Sequence, residues 1–218
     1  MRTTKGLLLA ALTTLVLVSC QKEADFSNSN GNGNGNGNGN GNSNIVGNYD
    51  FVGMIASTNS TVLMTGGGMN DKTITTSYYI TKNNTGTVTI TSDKMTSSNL
   101  AYEIDTAMYY KMYENNVLIM EGEMPFQIAM PASSGVSTYR KIGSDSLYFD
   151  GGSITMGPVG GSSGGNMTSQ PSGSKYSWSG DTLILKGSVL DHQVQNQMGT
   201  NIDITNRATT IVKLKKKP

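Results

Sequence analysis

The stretch Leu100-Ala101-Tyr102-Glu103-Ile104-Asp105-Thr106-Ala107-Met108-Tyr109-Tyr110-Lys111-Met112 decides the fold. Its even positions read Leu, Tyr, Ile, Thr, Met, Tyr, Met, whereas Glu103, Asp105 and Lys111 occupy odd ones. Successive side chains of a strand point to opposite faces, so a period of two sustained this long predicts one long strand, its even face buried and its odd face wet. Glu114-Asn115-Asn116 then supplies residues that tolerate positive φ, and Val117 to Met124 reads as the returning strand of a hairpin.

The same grammar extends to both sides. Ile74, Tyr78 and Ile80 alternate with Thr75, Ser77 and Tyr79, Asn83-Asn84-Thr85-Gly86 predicts a turn, and Val88 and Ile90 alternate with Thr87, Thr89 and Thr91, which together read as a second hairpin. Tyr176-Ser177-Trp178 leads through Ser179-Gly180-Asp181 into Thr182-Leu183-Ile184-Leu185-Lys186 as a third. Ile202 and Ile204 begin a further strand, and Val212 and Leu214 alternate with Lys213 and Lys215 in the last one. Pro125 and Pro131 confine the segment between them to an edge, a bulge or a loop. One helix candidate stands out, Ser188 to Met198, with Leu190, Val194 and Met198 at spacings of four and Gly199 as a stop; a bulged strand fits the same residues. The expected class is all-β, a single antiparallel up-and-down barrel of about eight to ten strands.

The N-terminal part is of another kind. Arg2 and Lys5 precede an apolar run from Leu7 to Val18 that is too short for a permanent membrane span, so residues 1–19 read as a secretory signal. Leu17-Val18-Ser19-Cys20 resembles a bacterial lipobox, which implies that Cys20, the single cysteine, becomes the lipidated mature N-terminus. Several acyl chains on one cysteine anchor firmly, since each buried methylene contributes about 0.8 kcal/mol. Gln21-Lys22-Glu23-Ala24-Asp25 is similar to the charged export signal of Bacteroidota-type surface lipoproteins. The expected location is therefore the outer membrane, exposed at the cell surface, with the periplasmic leaflet as the alternative. Residues 20–44 contain an unbroken Gly-Asn alternation from Gly31 to Asn42, a composition with nothing to bury. It reads as a disordered tether with a span of roughly 20–25 Å.

Residues 45–218 change to Thr, Ser, Tyr, Ile, Val and Met and have the length of one domain. The formal charge of the whole chain is +1, and loss of Arg2 and Lys5 with the signal makes the remainder slightly acidic, so nucleic acid is not an expected partner. Ile45-Val46-Gly47-Asn48-Tyr49 resembles the opening Leu-x-Gly-x-Trp of bacterial lipocalin-like domains. Trp178 to Leu185 is similar to their Trp…Gly-Asp-Thr-Leu pattern, and Thr209 to Lys216 to their closing strand. Tyr49 stands where that family has Trp, and Gly157 to Ser174 is a long insertion. The resemblance implies a lipocalin-like barrel, residues 45–218, whose interior holds a small apolar ligand.

Catalytic chemistry finds no foothold. Gly157 to Ser174 is glycine-rich but lacks the Lys-Ser/Thr and the following helix of a phosphate loop, so it reads as a loop beside a barrel mouth. His192 is the single histidine; with no other cysteine beyond Cys20 it cannot build a His/Cys zinc site, and no nucleophile motif accompanies it. Asp71, Asp93, Asp105, Asp145, Asp150 and Asp181 are scattered singly, without a calcium-loop pattern. No enzyme activity, metal or cofactor is expected. Twelve methionines between Met54 and Met198 read as core filler in place of scarce leucine, as an adaptable cavity lining, or as thioether ligands for copper(I). The ligand-cavity candidates are Tyr102, Ile104, Met108, Tyr110 and Met112, the inward face of the long strand. Lys213, Lys215, Lys216 and Lys217 form a basic end, suited to an anionic surface or to blunting a strand terminus. The functional expectation is a membrane-anchored, non-enzymatic binder of a small apolar or amphipathic molecule. The alternative is a surface module that recognises a protein or glycan through its loops.

Overall fold

A computed structural model describes residues 44–150 and 171–218. Cys20, the Gly-Asn tract and most of the glycine-rich insertion lie outside the described residues. Among the described residues there are nine strands: β1 Gly47–Gly66, β2 Met69–Ile80, β3 Lys82–Ile90, β4 Lys94–Glu114, β5 Val117–Ile142, β6 Ser146–Phe149, β7 Ser172–Ser179, β8 Thr182–Gln197 and β9 Thr200–Lys216. All pair antiparallel with their neighbours, and β1 also pairs with β9 from Tyr49↔Lys216 to Thr65↔Asn201, so the sheet closes in a ring.

Tight turns define the two ends. At the upper end, two-residue turns at Gly67-Gly68, Asn115-Asn116 and Met198-Gly199 join β1 to β2, β4 to β5 and β8 to β9, with positive φ at all six positions. A type I′ hairpin turn requires positive φ at both central residues, which glycine and asparagine adopt most readily. At the lower end lie Gly143, the Gly180-Asp181 turn of the Trp178 hairpin, and both described termini near Asn44 and Pro218.

Two expectations need correction. Asn83 to Gly86 does not reverse the chain: β2 and β3 run in the same direction along β1, from Gly66↔Met69 down to Gly47↔Ile90. The residues form an irregular bulge in one long strand. Thr81 Oγ1 accepts from the Met54 N–H at 2.8 Å, Asn84 Nδ2 donates to the Thr81 carbonyl at 3.2 Å, and Gly86 (φ +101°) passes against the backbone of Asn99. Nor is Ser188 to Met198 a helix, because it continues β8 through Gln197 in unbroken register with β9. A spacing of four is also a multiple of the strand period, so Leu190 and Val194 share one strand face as readily as one helix face.

The core sits in the lower part of the ring, where all staves are present. Tyr49, Phe51, Met54, Tyr79, Ile90, Met95, Ile104, Phe126, Phe149, Leu183, Leu185, Val212 and Leu214 belong to one buried cluster. Ring pairs Tyr49–Trp178, Phe51–Tyr102, Tyr79–Phe126 and Tyr139–Phe149 stand 6.1–6.3 Å apart and tilted, a geometry that contributes about 0.5–1.5 kcal/mol per pair beyond area. Three phenols fix the lower loops: Tyr49 donates to the Ile45 carbonyl, Tyr139 to Thr91 and Tyr176 to Ser144, each at 2.6 Å. The lysine-rich end is tied down too, with Lys217 3.0 Å from Asp50, Lys215 3.7 Å from Asp181, and Lys216 over the Trp178 ring.

Above the core the ring does not continue among the described residues. Among the described residues β6 and β7 are short and pair with β5 only at Tyr139–Ile142 and with β8 only as far as Gly187, whereas β8, β9, β1, β2, β4 and β5 extend further upward. Among the described residues the extension is a sheet of six strands in the order β8-β9-β1-β2-β4-β5, with β5 and β8 at its two edges. Pro125 and Pro131 lie on the β5 edge, where a missing donor interrupts no ladder.

Candidate functional site

The alternation that buries the lower core carries on without interruption into this extension. On β4, Tyr102 and Ile104 face inward at core level, and Met108, Tyr110 and Met112 follow on the same face above them. The pairing Met108↔Met124, Tyr110↔Gly122 and Met112↔Met120 sets four methionines around one tyrosine. Across β2, the facing residues are Ser77, Thr75 and Thr73; across β1 and β9 they include Val62, Met64, Ile204 and Ile202. The result is a methionine patch along β4 and β5 and a smaller apolar group of Val62, Met64, Ile204 and Ile202, separated by the Ser77, Thr75 and Thr73 row, with Asp191, Gln193 and Gln195 of β8 on the same face.

The five residues singled out on Leu100–Met112 therefore divide. Ile104 is 1% exposed and belongs to the packed core; Tyr102 packs against Phe51, with ring centroids 6.1 Å apart. Met108 bridges the two levels by packing against the core cluster. Tyr110 and Met112 lie above it on the open part, beside Met120 and Met124, which are 53% and 41% exposed. Sequence reasoning left Met120 and Met124 out of the candidate set, although Val117 to Met124 was read as the partner strand. The turn at Asn115-Asn116 alone would set Met112 against Ile119; a register shift between Tyr113 and Met112, which the sequence does not signal, brings Met120 and Met124 to the inward face.

Gly122 shapes the middle of the methionine patch. A Cβ there would come within 2.9 Å of Tyr110 Oη, so the tyrosine ring lies over the glycine in place of a side chain. A groove of ≈ 310 Å³ at this pairing belongs to the opposite face: Tyr109, Lys111, Glu121 and Glu123 line it with Tyr110 and Gly122, and no methionine does. Methionine has three rotatable bonds and a polarisable sulfur, so a patch of four can remodel around ligands of different outline.

Ion pairs cluster on the outer face, while the inner face carries Asp71, Glu114 and Asp191 at its margins. The opposite face of the extension carries Lys111 with Glu121 at 3.3 Å, His192 with Asp203 at 3.0 Å, and Lys72 over the Tyr113 ring. Lower on that same face, Asp105 accepts from Gln127 and Lys82, which hold its carboxyl below the usual range. On the inner side burial pushes the Tyr102 phenol up to about 12 and raises Tyr79 further, so both stay neutral hydroxyls beneath the methionine patch. Burial, and then the neighbouring Tyr139, likewise push Tyr49 up to about 12. Among the described residues no group of three or more His, Cys, Asp or Glu side chains is placed to hold a metal ion. His192 lies on the charged face, half exposed and away from the methionines.

Compared with known proteins, the chain matches no family model, no curated protein and no solved structure.

Proposed function

We propose that this chain is a lipid-anchored binder of small apolar or amphipathic molecules, and that the open methionine face above the core is where it binds them. The observation that carries the reading is Met120 and Met124 standing exposed, with Met112 half-buried beside them, on the same face as the buried core. Apolar side chains left exposed in a contiguous patch cost solubility and contribute little to folding, which marks them as an interaction surface. The ring below supplies a rigid floor. It is read as a lipocalin-like up-and-down barrel in which β2 and β3 together make one stave, giving eight in all. In this reading Cys20 carries the lipid at the outer membrane. The described chain begins at the lower end, so the methionine face lies at the end remote from the tether, toward the cell exterior or, in the periplasmic alternative, the periplasm.

No reacting group is needed. A ligand's alkyl or ring portion lies on Met108, Met112, Met120 and Met124 and displaces water, and its polar end is left at the rim.

The test is native mass spectrometry of the full chain challenged with fatty acids, sterol-like compounds and haem. The reading expects one of these classes to bind, and Met112→Glu with Met120→Glu to abolish the added mass while the melting temperature holds. Binding that survives the double substitution, or no binding by any class, overturns it. A second reading has its own support: Tyr78 and Tyr109 are 58% and 57% exposed on the charged face, and exposed aromatic rings suit stacking on a sugar. A glycan or protein array bound by the wild type and lost in Tyr78→Ala with Tyr109→Ala would favour that surface instead.

A further inference from the structure

The two edges that the extended sheet has among the described residues are built differently. The β5 edge is protected, with Pro125 and Pro131 in its length and Glu121 and Glu123 as charges. Such residues stop another chain from adding a strand. The β8 edge, Ser188 to Gln197, has neither proline nor lysine. Among the described residues it pairs only with β9, and its outward residues Leu190 and Val194 are 66% and 63% exposed. A long unguarded edge with exposed aliphatic residues is a template for strand addition.

We propose that this edge pairs with the same edge of a second copy, antiparallel, about a two-fold axis at His192. The register follows from self-complementarity. Centred on His192, the pairing sets Leu190 against Val194 of the second copy and Val194 against its Leu190, two cross-strand aliphatic contacts on one face. On the other face Asp191 meets Gln193 and Val189 meets Gln195, so no like charges oppose. A shift by one pair in one direction would set Asp191 against its own copy. The opposite shift would set Leu190 against Asn196. Like charges and apolar–polar pairs directly across a sheet are unfavourable. His192 keeps its contact with Asp203 on its own β9, 3.0 Å away, and faces its counterpart across the axis.

Because the axis is perpendicular to the sheet, both inner faces lie on the same side. The dimer is then a twelve-stranded extension whose two inner faces lie on one side and meet at a seam of Val189, Asp191, Gln193 and Gln195. This proposal stands independently of what that face binds.

Register-specific cross-linking tests it in the full chain with Cys20→Ser, which removes the native thiol. Antiparallel partners have Cα atoms about 4.5–5.5 Å apart, inside the range a disulfide spans. Under mild oxidation His192→Cys is expected to give a disulfide dimer in roughly tenfold higher yield than Asp191→Cys or Gln193→Cys alone, because a residue off the axis lies diagonal to its own copy. An equal mixture of the Asp191→Cys and Gln193→Cys chains should cross-link to each other. Sedimentation equilibrium supplies the second readout: Val194→Lys should be monomeric and Val136→Lys, on the β5 edge, dimeric, both with unchanged circular dichroism. Equal yields from the three cysteine variants, a monomeric parent chain, or a Val194→Lys chain that remains dimeric would overturn the proposal.

Discussion

Replacing Ile104 by alanine and Met120 by serine, in separate chains, distinguishes a core that holds the fold from a face that is free to bind. Ile104 is 1% exposed and sits in the buried cluster with Phe126 and Tyr79, so truncation leaves a cavity that the surrounding ring cannot fill. Large-to-small changes at such a site cost about 2–5 kcal/mol. For a domain of this size each kcal/mol lowers the melting temperature by roughly 2–4 °C, so Ile104→Ala should melt about 5–15 °C below the parent. Met120 is 53% exposed on the open extension, where little apolar area leaves water on folding. Serine there should change stability by less than about 0.5–1 kcal/mol. Circular dichroism melts and urea titrations of the full chain read both. If Met120→Ser destabilises as much as Ile104→Ala, the methionine face is packed in the native state, and the account of it as an open surface fails.

Other consequences can be checked with the same equipment. Tyr102 is held neutral to about pH 12 in the folded chain but ionises near 10 when unfolded, and Tyr79 is raised further, so their stabilisation is complete below pH 10. It is lost as pH rises from 10 through 12; each phenol adds a slope of at most about 1.4 kcal/mol per pH unit, and Tyr102→Phe should flatten the alkaline fall. Gly86→Ala should cost more than Gly67→Ala: both have positive φ, but a Cβ at Gly86 would meet the Asn99 carbonyl oxygen at 2.5 Å and one at Gly67 meets nothing within 4 Å. The difference should reach about 1–3 kcal/mol in a denaturant titration, and equal midpoints would contradict the close approach of β3 to β4. Cys20→Ala should release the protein from the membrane fraction, and retention with a mature N-terminus at another position would remove the lipid anchor from the proposal.

How much of this was legible beforehand depended on whether a residue pattern has one physical meaning. The alternation on Leu100–Met112 is unambiguous because charged and apolar residues cannot exchange faces without large cost, and it gave the correct inward set. It begins cleanly at Leu100 for a structural reason. Asn99 has φ +53° and a register shift, below which the buried residues Met95 and Ser97 fall on odd positions. Asn83 to Gly86 misled because residues tolerant of positive φ serve a hairpin and a bulge alike. Choosing between the two depends on β1 lying alongside both halves of the strand. Leu190, Val194 and Met198 misled because a spacing of four satisfies both periods. What stands opposite the methionine face was not legible: alternation says which way a side chain points, but not that β6 and β7 stop below that level among the described residues.

Methionine-methyl ¹³C NMR of the full chain bears most directly on where a ligand sits. Six methyl groups matter: those of Met108, Met112, Met120 and Met124 on the open face, and those of Met54 and Met95, which are 3% and 0% exposed in the lower core. On addition of the amphiphile found by native mass spectrometry, the account predicts saturable shifts in the first four and none in Met54 or Met95. Shifts confined to Met54 and Met95 would place the ligand inside the ring, and a saturated complex in which the four face methyls do not move would contradict the open face as the binding surface.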